Sequence, residues 1–115
     1  MLNKEKYEEF KQNLVVSERL FKKLHKVSLE AENIDYDESG LYDEDEQRCK
    51  RHWLKLSSKI IDNISDSMME YNIELLTNKN LEDKHLIMNL IFEGQESKIK
   101  IDYSNQETIT ITQVS

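Results

Sequence analysis

The chain has 115 residues, 37% hydrophobic and 34% charged, with 23 acids against 16 bases for a net charge of −7. That length allows one domain with one modest core. No apolar run approaches the ~20 residues of a membrane-spanning helix, the N-terminal MLNKEKYEEF lacks the apolar segment of a signal peptide, and a lone cysteine, Cys49, cannot form an internal disulfide. A cytoplasmic protein without membrane contact is therefore expected.

The chain has no proline and only two glycines, Gly40 and Gly94, so long regular elements and short polar turns are expected. Tyr7, Phe10, Leu14, Phe21 and Leu24 recur at helical spacing, with Ser17 in the one polar position of the series, and Leu20 and Val27 widen the stripe. This predicts an amphipathic helix over about 3–32. An acidic connector spans 30–46. A second helix is predicted over about 43–71. Asp43 and Glu46 have the capping-box spacing, and Trp53, Leu56, Ile60, Ile64, Met68 and Tyr71 follow at intervals of three or four.

The period then changes to two. Residues 86–92, LIMNLIF, are almost continuously apolar and predict a central strand buried on both faces. Residues 98–103 and 108–112 alternate and are rich in Ile and Thr, which predicts a hairpin linked by 104–107. Residues 73–77 read either as a further strand or as the end of the second helix. The expected fold class is α+β over residues 1–115 as a single domain. Two long antiparallel helices would pack on a C-terminal three- or four-stranded antiparallel β-meander.

The charge is not spread evenly. Residues 30–46, EAENIDYDESGLYDEDE, hold nine carboxylates and no Lys or Arg, while the other 14 acids face 16 bases. A near-neutral body with one concentrated anionic patch has a local field that steers basic surfaces toward it. Spaced carboxylates can occupy a groove built for a polyanion and compete by the same electrostatics. The expected function is therefore that of a non-enzymatic binding protein. It would act as a nucleic-acid mimic that inhibits or modulates a larger protein with a basic surface, as small phage and mobile-element proteins do. Asp35, Asp37, Glu38, Asp43, Glu44, Asp45 and Glu46 would make the charged contacts, with Tyr36 and Tyr42 as amphipathic anchors. Direct nucleic-acid binding is not expected, because the acids adjoin the basic run Arg48, Lys50, Arg51, His52 and Lys55 and repel phosphate.

The same segment supports an alternative. Residues 35–46, DYDESGLYDEDE, fit the rule D-x-[DNS]-x-[DNS]-G-x5-E. The segment resembles an EF-hand loop. That resemblance implies calcium ligation by Asp35, Asp37, Ser39, Leu41 through its carbonyl, Asp43 and Glu46, with Gly40 at the sharp turn. A further alternative is a structural subunit of an assembly, or a homodimer, joined through the edge of the C-terminal hairpin with its Thr108, Thr110 and Thr112 ladder.

Other chemistry is thin. Cys49 and His52 stand three apart on the second helix, one or two ligands short of a zinc site, and read as a partly buried thiol and a surface imidazole. There is no Gly-rich phosphate loop, nucleophile elbow or H-E-x-x-H, and Ser57, Ser58, Ser65 and Ser67 lack a matching base. No enzymatic activity and no resident cofactor are expected.

Overall fold

A computed structural model describes residues 2–34, 44–76 and 81–114. The elements are α1 (Lys4–Val16), α2 (Glu18–Glu32), α3 (Glu44–Ser67), β1 (Asn72–Leu76), β2 (His85–Phe92), β3 (Gln95–Asp102) and β4 (Thr110–Gln113). The fold class is α+β, with a four-stranded antiparallel sheet in the order β1-β2-β3-β4.

The expected first helix is two helices. Asn3 caps α1, its Oδ1 accepting from the Lys6 N–H at 2.8 Å. The break falls at Ser17, with φ −94° and ψ 12°. Its N–H donates to the Leu14 carbonyl at 3.0 Å, and its own carbonyl accepts from Leu20 and Phe21. Two causes meet there. The β-branched pair Val15 and Val16 is a weak helix former and is left exposed, while Ser17 is fully buried and its Oγ accepts from Asn63 of α3 at 3.3 Å. The polar position in the stripe is thus a joint held against α3.

The second helix ends at Ser67, short of the expected residue 71. The Met68 N–H still reaches the Ile64 carbonyl at 2.9 Å, and the Tyr71 N–H closes a turn on the Met68 carbonyl. Met68 is fully buried and Tyr71 packs against the core, so the helical spacing of apolar residues ran on into a turn that shares the same core. Residues 72–76 then form β1.

The sheet buries one face. Leu86, Met88 and Leu90 of β2 stand in register with Ile101, Ile99 and Ser97 of β3, all buried. Helix residues Phe10, Leu14, Phe21, Leu24, Trp53, Leu56, Ile60 and Ile64 complete that core. On the other face of the central strand β2, Ile87 and Ile91 are half-buried and Asn89 is buried, while among the described residues the helices pack on the face of Leu86, Met88 and Leu90. Glu93 and Gly94 join β2 to β3 with φ of 50° and 79°, the pair of positive values that a type I′ hairpin turn requires.

Tyr103, just past β3, ties the layers together. Its hydroxyl accepts from Trp53 Nε1 of α3 at 3.0 Å and lies 3.0 Å from Ser28 Oγ of α2. Its carbonyl accepts from His25 Nδ1 at 2.9 Å, and its N–H donates to the Lys84 carbonyl at 2.9 Å. Burial pushes the phenol above its ordinary value of 10.0, although the Ser28 and Trp53 hydrogen bonds pull it back in part. Tyr103→Phe should cost about 1–3 kcal/mol, because it leaves the Trp53 indole N–H and the Ser28 hydroxyl buried without that partner; urea denaturation at neutral pH measures it. The raised phenol also sets the alkaline limb. Stability from Tyr103 is fully present below about pH 10 and is lost as pH climbs through the folded value, so the pH dependence should flatten in Tyr103→Phe.

Candidate functional site

Acids gather where α2 ends and α3 begins. Glu44, Asp45 and Glu46 occupy the first turn of α3, where the positive end of the helix dipole favours carboxylates. Glu30 and Glu32 occupy the last turn of α2, where the dipole disfavours them and no basic residue stands. Lys84 offsets part of that with a 2.9 Å ion pair to Glu32. An open cleft of about 690 Å³ lies between the two helices and is lined by Glu30, Asn33, Ile34, Asp45, Arg48, Cys49 and His52. Carboxylates from both ends of the acidic stretch thus reach one site.

Glu44, Asp45 and Glu46 are the expected contact residues that fall within the described structure. Asp35, Tyr36, Asp37, Glu38, Tyr42 and Asp43 lie outside the described residues, as do Ser39 and Leu41 of the calcium set, so Glu46 alone represents that set. Among the described residues, no group of three or more His, Cys, Asp or Glu side chains is arranged to hold a metal ion.

The basic run after the acids pairs with them locally. Arg48 lies 3.3 Å from Asp45 and Lys50 lies 4.0 Å from Glu46, one helical turn on in each case. Both pairs are well exposed and each contributes little to stability. Trp53 belongs to the core, and His52 is exposed.

Cys49 is buried, its Sγ 3.9 Å from Glu30 Oε2. Burial first, and the Glu30 charge second, push the thiol above its ordinary value. A protonated, buried thiol is a poor nucleophile, so Cys49 is a packing group with a carboxylate beside it. Sequence spacing pairs Cys49 with His52; the contact with Glu30, 19 positions away, depends on how α2 meets α3 and leaves no local pattern.

The hairpin edge is partly occupied. The Val114 N–H donates to the Lys98 carbonyl at 2.9 Å, which sets the alternation in β4 and turns the Ile111 backbone groups away from β3. The Tyr7 hydroxyl of α1 donates to that outward Ile111 carbonyl at 3.2 Å. No described helix is long and apolar enough to cross a membrane. Comparison with protein-family models, with curated proteins and with solved structures finds no match.

The thiol environment gives a chemical test. Cys49 should react with a disulfide reagent at pH 7.5 much more slowly than a free cysteine, and Glu30→Gln should speed the reaction by removing the charge that opposes thiolate. Labelling rates followed against pH measure both effects; a rate unchanged by Glu30→Gln would remove the carboxylate from the account.

Proposed function

We propose that this protein is a non-enzymatic acidic binding module that uses the anionic ends of α2 and α3 to engage a basic surface on a larger protein. One observation carries the reading: Glu30 from the last turn of one helix and Asp45 from the first turn of the next line the same open cleft. The nine carboxylates of residues 30–46 thereby start and finish at a single end of the helical layer. A partner surface that ordinarily holds nucleic-acid phosphates has the complementary chemistry. Occupying it would make the protein a competitive inhibitor or modulator of a nucleic-acid-handling machine within the cell.

The test reverses charge at the start of α3. Asp43, Glu44, Asp45 and Glu46 are changed together to Lys, and proteins captured from the native lysate are compared with those captured by the unaltered chain. Specific partners should be lost with the variant, and with the unaltered chain at raised salt, because exposed charge contacts are screened within ~8–10 Å at physiological ionic strength. Partner capture that survives both the substitution and the salt would remove the electrostatic reading.

Calcium binding is the second reading, and the position of α3 favours it. The helix begins at Glu44, so Glu46, which would ligate through both oxygens, stands in the first turn of the helix leaving the loop. Calorimetry should then show saturable calcium binding that Glu46→Gln abolishes. No heat with the unaltered chain would end this reading and leave the first in place.

A further inference from the structure

The helix-facing side of the sheet runs on past the helical layer. Leu90 and Phe92 at the end of β2 stand in register with Ser97 and Gln95 at the start of β3, and alternation puts all four on the side of Leu86 and Met88. Tyr71, just before β1, lies beside Phe92, with ring centroids 5.0 Å apart and planes tilted by 38°. The helices do not extend over this end, because α1 begins at Lys4 and α3 stops at Ser67. A cleft of about 330 Å³ results, lined by those five side chains, by Leu2, Asn3 and Lys6 at the α1 end, and by Glu70.

Two observations set what the cleft can hold. Ser97 is only 4% exposed, and its hydroxyl makes no hydrogen bond among the described residues. Buried side-chain polar groups are mostly paired in native structures, so a donor and acceptor stands unused inside the cleft. The second observation concerns charge. Lys6 Nζ lies 2.8 Å from Glu70 and 3.3 Å from Glu9, so the charges at the rim are spent on one another and neither sign is free for a ligand. Asn3 Oδ1 is likewise committed to the cap of α1, while its Nδ2 and the exposed Gln95 amide make no hydrogen bond among the described residues.

We propose that this cleft binds a small, uncharged, planar heteroaromatic molecule of the nucleobase type. The Phe92 ring, 37% exposed, supplies a face on which such a ring stacks. Leu2 and Leu90 supply apolar contact. The Ser97 hydroxyl and the Asn3 and Gln95 amides can both give and receive hydrogen bonds along a ring edge. An apolar pocket with a few convergent polar groups is the usual form of a small-molecule site, and about 330 Å³ is at the small end of the range of such sites, which suits a single ring system. Phosphate has no free cation to meet here, and the chain carries a net charge of −7, so the base is taken without its phosphate. The affinity is modest, with Kd on the order of 1 mM, as expected for a ligand of so few atoms. The cleft lies beyond the C-terminal end of α3, whose 24 residues separate it from the acids at the start of that helix, so this proposal and the anionic reading stand independently.

Titration of the full chain, followed by amide chemical shifts, tests it with adenine, cytosine, adenosine 5′-monophosphate and toluene, each taken to about five times the expected Kd. Adenine or cytosine should shift the amides of Phe92, Gln95 and Ser97 along a saturable curve. Phe92→Ala should weaken that binding at least fivefold through lost stacking, and Ser97→Ala at least threefold through the lost hydrogen bond. Phe92→Leu keeps apolar bulk without the ring and carries the stacking test if Phe92→Ala loses native circular dichroism. Toluene, which has no polar edge, should bind more weakly than the bases and be indifferent to Ser97→Ala. The monophosphate should bind no tighter than adenine. No saturable shift with either base, shifts confined to residues outside the cleft, equal binding of toluene, tighter binding of the monophosphate, or affinities unmoved by the Phe92 and Ser97 variants would each overturn the proposal.

Discussion

The fold turns on one buried tyrosine. Tyr103 lies at the end of β3, and all three of its polar groups are engaged: the hydroxyl with α3 and α2, the carbonyl with α2, and the N–H with the segment before β2. These bonds span sequence separations of 50, 75 and 78 residues, so they hold the C-terminal sheet against both helices. They also fix the strand. Side chains alternate along a strand, and a slip of one residue would turn Tyr103 to the open face, leaving the Trp53 indole N–H and the Ser28 hydroxyl without it. A polar contact at the rim of an apolar core therefore sets register as well as adding stability, which is the role in which buried polar groups are most informative.

The same alternation makes the sheet two-sided. Leu86, Met88 and Leu90 face the helices, while Ile87, Asn89 and Ile91 face away. In the sequence these residues form one apolar run, and such a run ordinarily belongs to a strand covered on both faces. Among the described residues, the helices cover one face. On the second face Asn89 is 4% exposed. The helical layer thus explains half of the run, and on the other half Ile87 and Ile91 stay half-buried.

Much of this architecture is legible in the residues. The stripe from Tyr7 to Leu24 and that from Trp53 to Ile64 both mark helix faces that enter the core, and the Ile and Thr alternation marks β3 and β4. Two features escaped because periodicity is blind to them. Ser17 keeps the helical spacing yet ends a helix, since its hydroxyl is held by Asn63, 46 positions away, and neither proline nor glycine advertises the break. Met68 and Tyr71 keep the spacing beyond the end of α3 because the following turn buries them in the same core. Of the candidate site, its anionic character and the first turn of α3 were legible from composition and from the dipole rule. The approach of Glu30 to Cys49 was not, because helix-to-helix contacts carry no fixed sequence spacing.

The acids at this site divide by what can account for them. Glu44, Asp45 and Glu46 stabilise the start of α3, and Asp45 and Glu46 are further matched by Arg48 and Lys50. Helix stability alone would keep them. Glu30 and Glu32 sit where the dipole works against them, and Glu30 lies 3.9 Å from the buried thiol of Cys49. Lys84 pairs with Glu32 as well, and in the sequence Arg48, Lys50 and Arg51 stand against nine acids in residues 30–51. Acids in the last turn of α2 that work against their own helix are the ones that helix stability does not account for.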